Sequence, residues 1–341
     1  MCTVNIYLIN IIYTIIMITH KEIKHGINII HVKKECTDEE MEVRKNTLIN
    51  PADINLIITE DTDVYAENNK LLLKFRKKKI NKKCIDEFYD NVIDFAKKSY
   101  STNRGSVSAS NKKNVLENPK VFSNVIGFMD NFSPKQKYLL KQQGKTVKYN
   151  VRECRFNSEF PDKYARLLCF IQEIDKLYKR LVPDCYKKQY TKATQTFFRI
   201  PKTSFTTITT NVNFQTSIHK DKGDDSDGFG NLSVIEHGKY AGAETCFPQY
   251  GIGVDVRTGD ILFMDVHEWH ANLPLVKKTD DAIRLSVVCY LRYNVWKNTR
   301  NVSKEQMLRH NATVKNIKGH ITSSRNGQGM RSRKKSHYAV K

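Results

Sequence analysis

Residues 204–215 alternate so regularly that they fix the local fold. Ile208, Thr210, Val212 and Phe214 fall on one face of an extended chain, and Thr209, Asn211 and Asn213 on the other, in a run rich in β-branched and aromatic types. The pattern predicts a half-buried strand. His219 and Asp221 follow at its end, two positions apart, so in extended backbone both side chains point the same way and can grip one ion. A polar turn-rich loop with Gly223, Asp224, Asp225, Asp227, Gly228 and Gly230 precedes a second strand at Leu232–Glu236. The Arg257–Asp260 turn leads into Ile261–Asp265, a strand that delivers His267 and His270. Arg284–Leu291 is a nearly continuous apolar run, the pattern of a strand buried on both faces. A barrel of antiparallel strands is the expectation.

Two imidazoles and one carboxylate on one side of a metal leave the opposite positions open for a co-substrate and O₂. That donor set belongs to non-haem Fe(II) oxygenases. His219-Lys220-Asp221 alone is a weak signal, because so short a tripeptide recurs by chance; its place at a strand end, with histidines arriving from a second strand, strengthens it.

The run "FTTITTNVNFQTSIHKDKGD…GFGNLSVIEHGKYAGAETCFPQYGIGVDVRTGDILFMDVHEWHANLPL…RLSVVCYLR" resembles the 2-oxoglutarate and Fe(II)-dependent dioxygenases of the TET/JBP family, on the J-binding-protein side. These oxidise the 5-methyl group of pyrimidines in nucleic acid. The resemblance extends over residues 115–296 and includes "NVIGFMD" and "EIDKLYKRLVPDCYKKQ". It implies an α+β fold with a double-stranded β-helix core, jelly-roll or cupin-like, and supporting helices. It also implies His219, Asp221 and His270 as iron ligands, Arg284 as the partner of the distal 2-oxoglutarate carboxylate, and Ser286 as the hydroxyl assisting that arginine. Gly259, His270 and Pro274 keep the spacing of the turn, distal histidine and proline in such barrels, which favours His270 and leaves His267 as the alternative ligand.

Chemistry gives these roles a separate rationale. Removing hydrogen from an unactivated methyl needs an oxidant that no side chain provides, so Fe(II), 2-oxoglutarate and O₂ are the expected cofactor and co-substrates. An arginine can fork both oxygens of a carboxylate where a lysine cannot. A methyl inside a duplex must be brought to the metal by extruding its nucleotide, and Phe229, Tyr240, Phe247, Tyr250 and Trp269 are candidate stacking residues, each of which could equally be core packing. Asp224 and Asp225 could contact base edges or simply form the turn.

Charge fits a polyanionic partner. The 341 residues hold 57 Lys and Arg against 36 Asp and Glu, a formal charge of +21, enough to concentrate DNA or RNA without choosing between them; the resemblance makes DNA the expected partner. "KFRKKKINKK" (Lys74–Lys83) and the tail from Arg325 to Lys341 are the most basic runs. Eight cysteines without a CxxC pair indicate neither a zinc site nor a disulfide framework and read as reduced, which places the chain inside a cell; a DNA substrate would put it at the nucleus or the site of DNA replication. Residues 1–20 are apolar but carry Asn5 and Asn10 and no basic leader, so a strand-rich start is preferred to a membrane anchor. Residues 21–98 read as a small N-terminal region, 99–113 as a linker, 114–298 as the dioxygenase domain and 299–341 as a basic, disordered tail. One helix stands out: Asn157 or Ser158 can cap it, Pro161 suits its first turn, and Tyr164, Leu167, Leu168, Ile171, Ile174, Tyr178 and Leu181 form a stripe for the outside of the larger sheet. No obligate protein partner is evident. Two other classes fit the ligand triad, a protein side-chain hydroxylase and a non-catalytic nucleic-acid-binding module.

Overall fold

A computed structural model of the chain describes residues 18–98, 121–132, 134–144 and 146–314. Its N-terminal part contributes β1 (Ile18–Lys24), β2 (Ile27–Val32), α1 (Asp38–Arg44), β3 (Leu56–Ile58), β4 (Thr62–Tyr65), β5 (Leu71–Arg76) and α2 (Lys82–Lys98). The middle contributes β6 (Ser123–Met129), α3 (Pro134–Gln142), β7 (Arg152–Glu153), α4 (Arg155–Glu159), α5 (Pro161–Leu181) and α6 (Pro183–Ala193). Then come β8 (Thr207–Val212), β9 (Gly230–His237), β10 (Tyr240–Gly242), β11 (Thr245–Phe247), β12 (Ile252–Val254), β13 (Ile261–Met264), β14 (Ala271–Asn272), β15 (Leu275–Lys277), β16 (Ile283–Tyr290) and α7 (Tyr293–Thr299). A last helix, α8, covers 304–314.

Two sheets carry the fold. The larger has ten strands in the order β1-β2-β4-β5-β13-β9-β16-β8-β6-β7, and the smaller has four, β14-β11-β12-β3. Side chains alternate across the large sheet. Leu232, Val234, Leu262 and Met264 meet Phe247, Ile252 and Val254 of the small sheet in one buried cluster, as the inner faces of a double-stranded β-helix do. The intervening residues, Ile235, Ile261, Phe263, Leu285 and Val287, pack outward on α2 and α5 through Phe88, Val92, Phe170 and Ile174. Both faces are therefore buried, which is why β16 reads as almost unbroken apolar sequence. In β8 the apolar Ile208 and Val212 face the helices. Its other face turns to the barrel interior, not water: Thr209 and Asn211 line the cavity described below.

Several expectations need correction. Residues 21–98 are not a region apart, because β5 pairs antiparallel with β13 and β3 pairs parallel with β12, which splices the N-terminal strands into both sheets. The parity of β5 shows why this was hidden. Its basic residues look like a surface run, yet Lys74 and Arg76 pair with the buried Asp63 at 3.1 and 2.7 Å, and Lys77 and Lys79 reach Glu60 and Asp61. The tail does not begin at 299 either. Val302, Met307 and His310 pack on Val151, Phe198 and Tyr149, so α8 belongs to the body. The expected linker and the basic run from Arg325 lie outside the described residues, as do residues 1–17.

The α5 stripe packs where expected, but its cap differs. Asn157 and Ser158 sit within α4, and Phe160 occupies the N-cap of α5 without a side-chain bond. Asn157 Oδ1 instead accepts from Gly127 N at 2.9 Å. Gly127 has φ +92°, and a Cβ there would strike the Thr206 carbonyl, so this crossing of β6 needs glycine. The cysteines are not all thiols: Cys84 of α2 and Cys169 of α5 form a disulfide with Cα atoms 5.5 Å apart. With a sequence separation of 85, no local spacing announces the pair.

Candidate active site

Backbone hydrogen bonds set the site before any side chain does. His219 N donates to the His270 carbonyl at 3.0 Å and His270 N to the His219 carbonyl at 2.9 Å, an antiparallel bridge that holds the two residues side by side. Asp221 is fixed by its own N–H, which donates to Val266 O at 2.9 Å. Each imidazole is then oriented by a carbonyl two residues upstream: His219 Nδ1 lies 2.6 Å from Ser217 O, and His270 Nδ1 3.0 Å from Glu268 O. A carbonyl only accepts, so each Nδ1 carries the proton and each Nε2 presents a lone pair. The Nε2 atoms stand 3.7 and 3.8 Å from the two Asp221 carboxylate oxygens. All three donors lie within 4.8 Å of one another, a set of two nitrogens and one carboxylate that suits a first-row transition metal.

His267 stands outside that triad. Its Nδ1 lies 3.2 Å from Asp221 O and its Nε2 3.4 Å from Asp225 O, so it props the backbone of the loop that carries Asp221.

A cavity of about 440 Å³ opens beside the triad, lined among others by Thr209, Asn211, Phe214, Arg284, Ser286, Tyr290 and Arg292. Arg284 and Ser286 are on β16 with side chains turned into the barrel, and both are nearly inaccessible to solvent. Burial lowers the Arg284 pKa, while nearby Tyr240 pushes it back up. Of its two acidic neighbours, Glu236 is engaged by Arg257 at 3.1 Å and by the Thr258 N–H at 2.8 Å, and Glu244 makes no ion pair with it among the described residues. A buried guanidinium short of an anion is costly unless a ligand supplies one. Asn211 Nδ2 donates to Ser286 Oγ at 3.4 Å, and Asn211 Oδ1 is buried without a partner among the described residues. The cavity therefore offers a fixed cation and a hydroxyl next to the metal donors, which fits a small keto diacid.

The expected aromatic cage is absent from this cavity. Phe229, Phe247, Tyr250 and Trp269 are buried among core side chains, and Tyr240 lies beneath Arg257, 4.6 Å from its guanidinium. Phe214 and Tyr290 are the aromatic rings that do line it. Asp225 is tied to Lys192 at 2.5 Å and cannot read a base, whereas Asp224 is at the cavity wall.

Sequence reasoning missed the N-terminal share of the site. Asn46 N donates to Ile218 O and Ile218 N to Thr47 O, both at 2.9 Å, which brings Lys45 and Asn46 to the cavity wall. Asp38 Oδ1 accepts from Lys220 and from Trp269 Nε1, each at 3.0 Å, thereby joining the neighbours of His219 and His270. Those bonds, led by Lys220, hold the Asp38 carboxyl well below the usual range. Lys70 pairs with Asp265 and Glu268 on the loop before His270. Only the polarity of these residues was legible, because nothing local says that they lie beside residues two hundred positions away.

Residues 139–293 match the family model described as the oxygenase domain of the 2OGFeDO superfamily, Tet_JBP. Among curated relatives, the chain is 32% identical over 152 residues to a thymine dioxygenase JBP1 of Trypanosoma brucei brucei, covering 44% of this chain and 18% of that protein. It is 30% identical over 162 residues to a bifunctional helicase and thymine dioxygenase JBP2 of Leishmania braziliensis, covering 48% of this chain and 15% of the relative. This chain thus spans less than a fifth of either relative's length. A solved structure of NgTET1 in complex with 5mC DNA superposes with a TM-score of 0.49 and 11% identity, over 71% of this chain and 84% of that one.

Proposed function

With residues 139–293 an oxygenase domain of the 2OGFeDO superfamily, we propose that the protein is a 2-oxoglutarate and Fe(II)-dependent dioxygenase that hydroxylates the 5-methyl group of a pyrimidine, thymine first, in DNA. The observation that carries the reading is one cavity holding both the His219, Asp221 and His270 donors and the buried, anion-seeking Arg284. The names of the relatives, thymine dioxygenases, support the substrate class.

In this reading His219, Asp221 and His270 hold Fe(II), and Arg284 forks the distal carboxylate of 2-oxoglutarate with Ser286 beside it. When bound, the metal and co-substrate supply the O₂-dependent oxidation that side chains cannot, converting 2-oxoglutarate to succinate and CO₂. The chain's own work is positional. Ser217 O and Glu268 O keep both Nε2 lone pairs aimed at one point, and His267 keeps the Asp221 loop in place. Phe214 and Tyr290 flank the space an extruded base would enter.

The test is nucleoside mass spectrometry after incubating the full chain with Fe(II), 2-oxoglutarate and DNA carrying thymine or 5-methylcytosine. A gain of one oxygen on either base is expected; unchanged nucleosides with 2-oxoglutarate turnover intact would overturn the substrate. His219→Ala, Asp221→Ala and His270→Ala should each abolish turnover and stoichiometric metal binding, since two ligands are too few. Metal retained by His270→Ala would exclude that residue as a ligand.

A further inference from the structure

The face of α7 beside the cavity has a composition that the oxidation itself does not require. Tyr293, Trp296, Lys297 and Arg300 recur at helical spacing and share one side, while Val295 and Thr299 are buried on the other. The rings of Tyr293 and Trp296 are 5.4 Å apart. Lys297 Nζ lies 5.9 Å from the Tyr293 ring and the Arg300 guanidinium 5.1 Å from the Trp296 ring. Neither cation is paired with a carboxylate among the described residues. Lys192, also near Trp296, differs, because Asp225 and Asp227 already neutralise it.

This face is built onto the body and adjoins the site. Gln195 Oε1 accepts from Trp296 Nε1 at 2.9 Å, and the Thr196 and Thr299 hydroxyls are 2.6 Å apart, which ties α7 to the segment that carries Phe197, a ring with half of its surface, 52%, in water. At the other end, Tyr293 N donates to Gly223 O at 3.0 Å, and both Gly223 and Arg292 line the cavity. Tyr293 itself is 38% exposed. Exposed rings interleaved with uncompensated cations, starting at a cavity's lip, match a partner that repeats a stackable ring and an anion. A nucleic-acid strand is that partner.

We propose that α7, with Phe197, is the platform on which nucleotides flanking the base in the cavity stack, their phosphates held by Lys297 and Arg300. The inference rests on the nucleic-acid reading above and assigns it a surface, most of which lies beyond the residues matched by the family model.

Binding of the full chain to fluorescently labelled, thymine-containing duplex and to the matching single strand, measured by anisotropy across a salt series, tests it. Tyr293→Ala should weaken binding at least about fivefold, the low end of what one base stacked on a ring contributes. Tyr293→Phe, which keeps the ring, should bind like the parent. The exposed pair Lys297→Gln with Arg300→Gln should flatten the log-log salt slope by about 0.7 to 0.9 for each phosphate no longer neutralised. Parent-like affinity and slope in Tyr293→Ala and the double variant, with the parent binding DNA, would overturn the platform alone. A parent that binds neither probe would overturn both the platform and the nucleic-acid reading.

Discussion

Single residues in this site act through what they lack as much as through what they touch. Arg284 is buried in the cavity wall and makes no ion pair among the described residues, with Glu236 committed to Arg257 and Thr258, so its charge is available to a ligand. Arg284→Lys keeps the charge and loses the planar fork. The expected result is a KM for 2-oxoglutarate raised about tenfold or more, the loss of one charge-assisted bond, with metal affinity unchanged; an unaltered KM would remove Arg284 from co-substrate binding. Asp38 illustrates the opposite case, a residue that works by what it holds. It bonds Lys220 and Trp269, one beside each histidine, although its own side chain is 51% exposed. Asp38→Asn should therefore weaken metal binding by about tenfold, the low end of the effect of removing groups that support the ligands, and leave the KM for 2-oxoglutarate near the parent value. Strand parity and a two-residue spacing pointed to His219 and Asp221 in the sequence, whereas His270 and Arg284 were pointed to by the family resemblance. Asp38 was not, since its partners are joined to it only by the fold.

At the level of elements, periodicity revealed what each strand and helix buries, but not always against what. The polar side of β8 looked like a solvent face and is the wall of a cavity. The α5 stripe was read from its helical repeat, which passed over Phe170, although this ring meets Phe88 of α2 with centroids 4.6 Å apart. Phe170→Ala should cost about 3 to 5 kcal/mol in a denaturant melt, the range for emptying an aromatic site in a packed core. The basic composition of 299–341 suggested a tail without structure, and the sparse apolar residues of α8 were too few to argue otherwise. His310 nevertheless anchors that helix, its Nε2 donating to Val151 O at 2.6 Å. Burial lowers the His310 pKa below its ordinary 6.5, with the Val151 bond acting against the shift. The sign follows from linkage: above that value packed and unpacked forms are both neutral, whereas on acidification the unpacked form takes up a proton first. Attachment of α8 should thus be constant at higher pH and weaken as the pH falls through about 6.5 and on towards the lower packed value. Hydrogen exchange of the 304–314 amides at pH 7.5 and 5.5, about one unit either side of the usual histidine value, reports it. Equal protection at both, or an unchanged difference in His310→Gln, would disprove the histidine's role.

For the whole molecule the question is where the folding unit begins. The family match starts at 139, and composition suggested a boundary near the 99–113 segment. The topology argues otherwise. β5 covers one edge of β13, and β3 covers one edge of β12, so a chain beginning at 114 would leave two strand edges open, one in each sheet. It would also lose Val64, Leu73 and Phe75 from the cluster between the sheets, and Phe88 and Val92 from the layer outside. Exposing these apolar faces costs roughly 1.5 to 3 kcal/mol for each large side chain, which five such residues turn into a deficit as large as the stability of an ordinary domain. The site suffers as well, because Asp38, Lys45, Asn46 and Lys70 leave with the segment. A fragment of residues 114–298 should accordingly be insoluble or melt without cooperativity, whereas residues 18–314 should melt as one unit. Adding a separately expressed fragment of residues 18–98 should restore both solubility and metal binding to the larger piece, since the missing strands can pair in trans. A 114–298 fragment that melts cooperatively and binds metal by itself would show that the N-terminal strands decorate the barrel and do not complete it.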